Sequence, residues 1–386
     1  MIGVWCTEGP IYKDENGVYY SLTINEKIIN RYLEYADKLY ILSRVRKLDK
    51  MQTSNMIKCD NIEIIEIPNC SSIKGLIKNT GKARKKIVKY LKKADFAIIG
   101  LPGILGNIAI TQCKKLKKTY IVEVLGCIWD ALWNHGKFTG KLLAPIQYIF
   151  TRKRIEKAEN VIYVSNKFLQ RRYPNKNNNI GCSDAIIQEY SEEVLENRLK
   201  FIDEKKEKST YKLGLIGSLS IKYKGHDTAI RAVSLLKDKY NLELHFLGKG
   251  EPTYWKDLAS KNDVLGLIKF DGVLPSGKPV YDWMDNMDIF LIPSLQEGLP
   301  RALVEAMSRG CPAIGVRTGG IPELLDEEFI ANKKDYKHVA KLIEILLNDK
   351  EKMKEQAKTN FNKAGEFQKD LLYEKRRKFY KDIIKD

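Results

Sequence analysis

Short apolar runs alternate with polar segments of helical period along most of this chain. In the first half IGVWC (2–6), KLYILSRV (38–45), NIEIIEIP (61–68), DFAIIGLPG (95–103), TYIVEVLG (119–126) and NVIYVS (160–165) read as buried strands. In the second half KLGLIG (212–217), LELHFLG (242–248), DIFLI (288–292) and PAIGV (312–316) do the same. Helices are predicted between them, around Asn25–Ala36, Gly81–Lys93, Leu105–Leu116, Lys141–Lys157 and His226–Leu236, and from Pro300 onward. In the second of these Ala83, Ile87, Leu91 and Ala94 recur at helical spacing; in the fourth Leu142, Leu143, Ile146 and Ile149 form an expected core stripe. The stretch EGPIYKDENGVYYS (8–21) reads as a loop. Strands alternating with covering helices specify an α/β chain with parallel sheets.

The alternation comes in two series. At 386 residues the chain exceeds one ordinary core, so two domains are expected. Between the series lies SEEVLENRLKFIDEKKEKST (191–210), densely charged and weakly periodic, which reads as an interdomain linker. The first domain is then expected over 1–195 and the second over 205–364. A hydrophobic content of 44% with 12 prolines fits a globular protein. No apolar run approaches bilayer-spanning length and no signal-peptide pattern opens the sequence. The seven cysteines lack metal-type spacing and read as reduced thiols of a cytosolic protein.

The stretch Pro293–Gly320, PSLQEGLPRALVEAMSRGCPAIGVRTGG, carries the chemistry. It is a strand–loop–helix–strand unit whose loop falls where open α/β sheets bind ligands. The helix is apolar nearly all round, yet it carries Glu305, and a buried carboxylate needs a partner. That partner is either Arg301, one turn away, or the hydroxyls of a ligand in a cleft. Glu297, eight residues earlier beside Gly298, favours the second, because two carboxylates then bracket a helix N-terminus suited to a phosphate. Lys222 and Lys224 follow another strand and precede Gly225 at a helix entry. They read either as an exposed basic turn or as counter-charges for a diphosphate.

EGLPRALVE is a Glu-x7-Glu pattern, and flanked by PSL, EAM and GGIPEL it resembles the donor site of family 4 retaining glycosyltransferases. The resemblance implies the GT-B fold, two Rossmann-like domains facing across a cleft, with a C-terminal helix (365–386) returning to the first. It implies a cytoplasmic enzyme, peripheral on the inner face of a bacterial membrane, that moves a hexose from a nucleotide-diphosphate sugar, commonly a UDP-sugar, to a lipid-linked oligosaccharide in capsule, exopolysaccharide or O-antigen synthesis. By resemblance Glu297 contacts sugar hydroxyls and Glu305 ribose hydroxyls. Gly298, Leu299 and Pro300 line the phosphates, Gly217 and Gly248 allow close approach at strand ends, and Asp271–Val273 meet the base. GSLSIKYKGHD (217–227) is similar to the family's diphosphate loop, with Ser218 where an arginine is usual. Glu297 and Lys224 are the implied catalytic pair. No cofactor is expected beyond the sugar nucleotide, and no metal, since two lysines and a helix N-terminus neutralise the leaving diphosphate. The histidine common in the first domain is replaced by Leu125, which leaves Glu123 and Asp130 as acceptor-side candidates, Glu123 reading equally as a buried structural ion; His135 reads as incidental.

Charge adds one further expectation. The net charge of +18 asks for an anionic partner, and Lys74–Lys93 holds Lys or Arg at nine positions with no acidic residue. It reads either as a solvated helix face or as a surface for anionic lipid. With 20 tyrosines the charge also fits a nucleic-acid groove, but no such motif is present. A sugar-nucleotide epimerase of the same fold is the remaining alternative, separable by whether turnover needs an acceptor.

Overall fold

The structure, a computed structural model, describes residues 1–9, 11–21, 23–48, 55–70, 73–134, 138–206 and 209–384. The chain divides into two compact units, one of Met1–Trp129, Lys141–Cys182 and Arg376–Asp386, the other of Asp130–Gly140 and Ser183–Lys375.

The first unit is built on strands β1 (Ile2–Cys6), β2 (Lys38–Ser43), β3 (Ile62–Glu66), β4 (Phe96–Leu101), β5 (Thr119–Val124), β6 (Asn160–Tyr163) and β7 (Asn178–Gly181). They form one sheet in the order β3-β2-β1-β4-β5-β6-β7. Every pairing is parallel. β4 is buried along its whole length, as expected for a strand covered on both faces. Helices α1 (Ile73–Leu91), α2 (Ile104–Leu116) and α3 (Phe138–Glu156) include much of that cover. On α1 the expected face is the inner one: Ala83, Ile87 and Leu91 are fully buried in the core with Ala94 beyond them. The helix starts earlier than the periodicity implied. The stretch 8–21 is not a plain loop, because Ile11–Lys13 and Tyr19–Ser21 pair antiparallel in a small separate sheet. Three-residue strands are too short for alternation to reveal.

α3 departs from its expected orientation. Leu142, Ile146 and Ile149 face outward, and the residues buried along the helix are Ala144, Thr151 and Ile155. Helical period identifies an apolar stripe but not what covers it, and here small and β-branched residues make the inner contact.

The second unit opens with α4 (Glu192–Glu204). The stretch read as a linker therefore contains a helix packed on this unit. Its anchor is Arg198, buried, whose guanidinium donates to the carbonyls of Met287 at 2.7 Å, Met284 at 3.0 Å and Arg309 at 3.1 Å. Those bonds add to the core contacts of Ile202 and Leu199, a pair of apolar positions too sparse for the periodicity to reveal. Strands β8 (Tyr211–Ile216), β9 (Leu242–Leu247), β10 (Ile268–Gly272), β11 (Ile289–Ile292), β12 (Ala313–Val316) and β13 (Ile330–Ala331) form a parallel sheet in the order β10-β9-β8-β11-β12-β13. Each unit thus has the strand order of a dinucleotide-binding fold, with its reversal between the first and fourth strands. Together they make the two Rossmann-like halves of the GT-B plan. In the second, α5 (His226–Ser234) follows β8 and α6 (Arg301–Ser308) follows β11. The last helix, α7 (Lys369–Ile383), starts in the second unit and ends in the first.

Among the described residues no helix is long and apolar enough to cross a membrane. Among the described residues no cysteine takes part in a disulfide, and all are buried except Cys59.

Candidate active site

In an open parallel sheet, the loops leaving the two strands at the order reversal diverge and leave a crevice at the strands' carboxyl ends. In the second unit those strands are β8 and β11, and their loops carry most of the residues singled out above. After β8 the chain is held to the next strand's exit: Gly217 N–H donates to Leu247 O (3.0 Å), Leu219 N–H to Lys249 O (2.8 Å) and Ser218 Oγ to Lys249 O (3.0 Å). Gly248 fits because it has no side chain, since a Cβ there would stand 2.0 Å from Gly217 O. A 3-10 turn over Lys222–Lys224 follows, and Gly225, at φ +83°, turns the chain into α5. A Cβ on Gly225 would meet Pro293 O at 2.2 Å.

The loop after β11 lies directly against this turn. Leu295 N–H donates to Tyr223 O (2.7 Å) and Ser294 Oγ to Lys224 O (3.4 Å). Its far side is fixed by the Gly319–Gly320 loop, where Gly320 N–H donates to Gly298 O (2.7 Å) and Gly319 takes φ +56°. Glu297 is therefore gripped from both sides, and Lys224 Nζ reaches its Oε1 at 2.7 Å. The implied catalytic pair is an ion pair here, at a position one loop-length beyond the strand reversal.

Pro300 is the N-cap of α6, in extended conformation, rather than its first helical residue. Leu303 N–H and Val304 N–H both donate back to Pro300 O (3.2 Å each), so only the N–H groups of Arg301 and Ala302, which helix geometry leaves without an intrahelical acceptor, point toward a ligand. Glu305 lies one turn into α6, half-buried among Leu303, Val304 and Ala306. Burial pushes its carboxyl above the usual carboxylate range, and Arg301 pulls the other way. Lys222 is exposed, with Nζ 3.9 Å over the ring of Tyr254. Val273 is exposed just past β10, two strands from the reversal.

His226, which the sequence did not single out, opens α5 beside this site. It is fully buried, its ring 4.8 Å from both Phe246 and Trp255, and neither ring nitrogen has a hydrogen-bond partner. Burial lowers its pKa to about 4, so the ring is neutral near pH 7. Trp255 in turn donates from Nε1 to Leu219 O (2.7 Å), so aromatic packing holds the loop from behind. The signal available was the Lys-Gly-His junction at a helix entry.

The acceptor-side candidates are not brought together in one unit. Glu123 on β5 is buried in the first unit, where Oε1 accepts from Tyr380 Oη (2.6 Å) and Oε2 from Tyr32 Oη (2.8 Å). With both oxygens occupied inside the core, Glu123 has the geometry of a structural clamp, which favours the buried-ion reading over the acceptor-side one. Asp130 is buried in the short helix Ile128–Trp133 and groups with the second unit. Leu125 is 43% exposed. His135 lies outside the described residues.

Residues 210–349 match the family described as "Glycosyl transferases group 1". The chain is 33% identical to "Protein CapJ" of Staphylococcus aureus over 383 residues, 97% of this chain and 94% of that one. It is 29% identical over 183 residues to the "Capsular polysaccharide biosynthesis glycosyltransferase CapM" of the same organism, covering 45% of this chain and 47% of that one. Among solved structures, HepE of Anabaena in complex with UDP superposes with a TM-score of 0.69 at 13% identity, covering 99% of this chain and 100% of that one.

Proposed function

This chain belongs to the group 1 glycosyl transferases, and from that premise we propose that it moves a hexose from a UDP-sugar to a hydroxyl of a lipid-linked oligosaccharide, with retention at the anomeric carbon. The observation that carries the reading is the Lys224–Glu297 pair at the strand-order reversal of the second unit.

The donor diphosphate lies between the β8 and β11 loops. Lys224, Lys222, the loop around Ser218 and the N–H groups of Arg301 and Ala302 offset its charge, with Gly298, Leu299 and Pro300 alongside. Gly217 and Gly248 keep the backbone close, and the base lies toward Val273. Glu305 accepts hydrogen bonds from the ribose hydroxyls. Glu297 accepts from hydroxyls of the transferred sugar and orients C1. As the bond from C1 to the diphosphate oxygen breaks, the acceptor oxygen adds from the same face and its proton passes to the departing diphosphate. The protein supplies positioning and charge rather than a nucleophile, so neither the replaced histidine nor a bound metal is required. The product belongs to capsule or a related surface polysaccharide, which suits a protein working at the inner face of the membrane.

Thermal-shift measurements against UDP-, GDP- and ADP-sugars test the donor, because binding to the folded state raises the unfolding temperature. A shift with UDP-sugars alone, lost in Glu297→Gln, is expected. Equal stabilisation by all three, or by none, sinks the UDP assignment, and full transferase activity in Glu297→Gln sinks the site.

A further inference from the structure

The outward stripe of α3 has a neighbour that explains it. Leu142 is 60% exposed, Ile146 50%, Ile149 51% and Phe150 52%, all on the part of the helix that belongs to the first unit. On α1, Ile77 is 81% exposed. Contiguous apolar exposure of this kind on a folded domain marks a surface that something else covers.

Beside the stripe, α1, α2 and α3 enclose a hollow of about 320 Å³ with Leu76, Ile104, Ile108 and Phe150 on its apolar side and Arg84, Lys115 and Arg154 around it. A second hollow of about 380 Å³ continues between α2 and α3, adding Lys114, Lys153 and Lys157. Among the described residues no carboxylate lines either one. Two of these cations are fixed by carbonyls: Lys114 Nζ donates to Lys157 O (2.6 Å), and Arg154 donates from Nε to Asn107 O (3.2 Å) and from Nη1 to Phe150 O (3.2 Å). Asn107 lines the first hollow at 8% exposure; its amide donates to Thr151 Oγ1 (3.3 Å), and its Oδ1 has no partner. The hollows thus gather positive charge beside exposed hydrocarbon, with Glu159 acting on Lys114 from outside the lining.

We infer that this face of the first unit docks on an anionic bilayer, the α3 stripe entering the acyl region while the adjoining basic hollows take the phosphates of lipid headgroups. An amphipathic helix binds a lipid interface through that pairing of apolar stripe and flanking cations. A nucleic acid would use the cations but gain nothing from Leu142, Ile146 and Ile149. The face differs from the one charge density pointed to. The exposed lysines at the end of α1 and just past it, Lys89, Lys92 and Lys93, have no exposed apolar stripe between them. The docking face goes beyond the transfer reading and does not depend on it.

The test is flotation of the full-length chain with vesicles of phosphatidylcholine plus phosphatidylglycerol, against phosphatidylcholine alone. Three variants are compared: Ile146→Ser with Ile149→Ser, Arg84→Gln with Lys115→Gln and Lys153→Gln, and Lys89→Gln with Lys92→Gln and Lys93→Gln. All these side chains are exposed, and unfolding curves matching the parent's verify the fold. Binding to anionic vesicles only is expected, weakened at least about tenfold in the first two variants and less in the third. Donor hydrolysis in solution is expected to be unchanged in all three. Undiminished flotation of the first two variants overturns the proposal. So does loss of flotation confined to the third, or binding of a single-stranded oligonucleotide that the second variant abolishes while vesicles fail to bind. Loss of donor hydrolysis in the stripe or hollow variants also overturns it, because the face would then serve the reaction. If the donor-site assignment is wrong, Glu297→Gln keeps its turnover while flotation reads out as before, so the two failures are distinguishable.

Discussion

Lys224 Nζ stands 2.7 Å from Glu297 Oε1, joining loops that leave two adjacent strands 73 residues apart in sequence. Glu297 is 10% exposed and Lys224 26%, so the cost of desolvating the two charges offsets much of their attraction and the pair adds little net stability. Its value lies in what a diphosphate would do to it: two more negative charges would draw the ammonium toward phosphate and release the carboxylate to a sugar hydroxyl. Lys224→Met and Glu297→Gln are each expected to lower kcat about a hundred- to a thousandfold. The double variant is expected to lose little beyond the worse single one, since the two act as a unit. Initial-rate kinetics on the three variants check this, and simple multiplication of the two losses would speak against the pairing.

The glycines of the same loops give a stability contrast. A Cβ at Gly248 would lie 2.0 Å from a carbonyl oxygen that has no freedom to retreat, because Gly217 is itself tied to Leu247. Gly248→Ala is expected to cost about 1–3 kcal/mol by overpacking. Gly81 sits inside α1 with nothing within 4 Å of its would-be Cβ. Gly81→Ala is therefore expected to raise stability by about 0.5–1 kcal/mol. Urea unfolding of both variants decides whether close approach or mere glycine content governs this chain.

How far the sequence revealed these features follows from the length over which each signal acts. The buried strands and the helix that carries Glu305 were legible because their apolar runs are local and uninterrupted. The closeness of Lys224 and Glu297 needed the strand order, which no local pattern encodes. Orientation was harder still. The stripe Leu142, Ile146, Ile149 has the right period for a core face, yet Ala144, Thr151 and Ile155 took the inner side. α4 was hidden because one buried arginine, with only Leu199 and Ile202 beside it, does the anchoring that a row of leucines usually does. Glu123 read as chemistry or structure alike until its two tyrosine partners, distant in sequence, were in view.

His226 makes stability pH-dependent in a defined window. Its pKa falls from about 6.5 in the unfolded chain to about 4 when folded. Between those values the unfolded state binds more protons, so stability is present above the unfolded pKa and is lost as pH falls toward 4. The loss amounts to about 3 kcal/mol. Glu305 and Glu8, whose carboxyls burial raises, work in the opposite direction, so the difference between variants is the clean reading. In His226→Phe, which keeps the aromatic packing with Phe246 and Trp255, the decline between pH 6.5 and 4 is expected to shrink. Denaturant unfolding at a series of pH values checks it, and parallel curves for the two proteins would contradict it.

The Glu123 clamp ties the end of α7 into the first unit. Tyr380 is fully buried, and burial together with the neighbouring carboxylate pushes its phenol well above the ordinary range, so it donates as a neutral hydroxyl. Arg376 Nη2 adds a bond to Cys182 O at 3.1 Å on the same helix. Removing the Tyr380 hydroxyl leaves one oxygen of a buried carboxylate without its donor, at a cost of roughly 1.5–3 kcal/mol. Tyr380→Phe is thus expected to be clearly destabilised, and Tyr32→Phe similarly, because each tyrosine serves a different oxygen. The helix itself should respond before the rest of the unit does. Limited trypsin digestion would then cut at Lys378 or Lys381 sooner in Tyr380→Phe than in the parent, while Tyr32→Phe, on the other side of the carboxylate, would leave the cleavage rate at those lysines closer to the parent's. Equal protection of α7 in all three proteins would mean that its apolar contacts, Phe379 among them, hold it without the clamp.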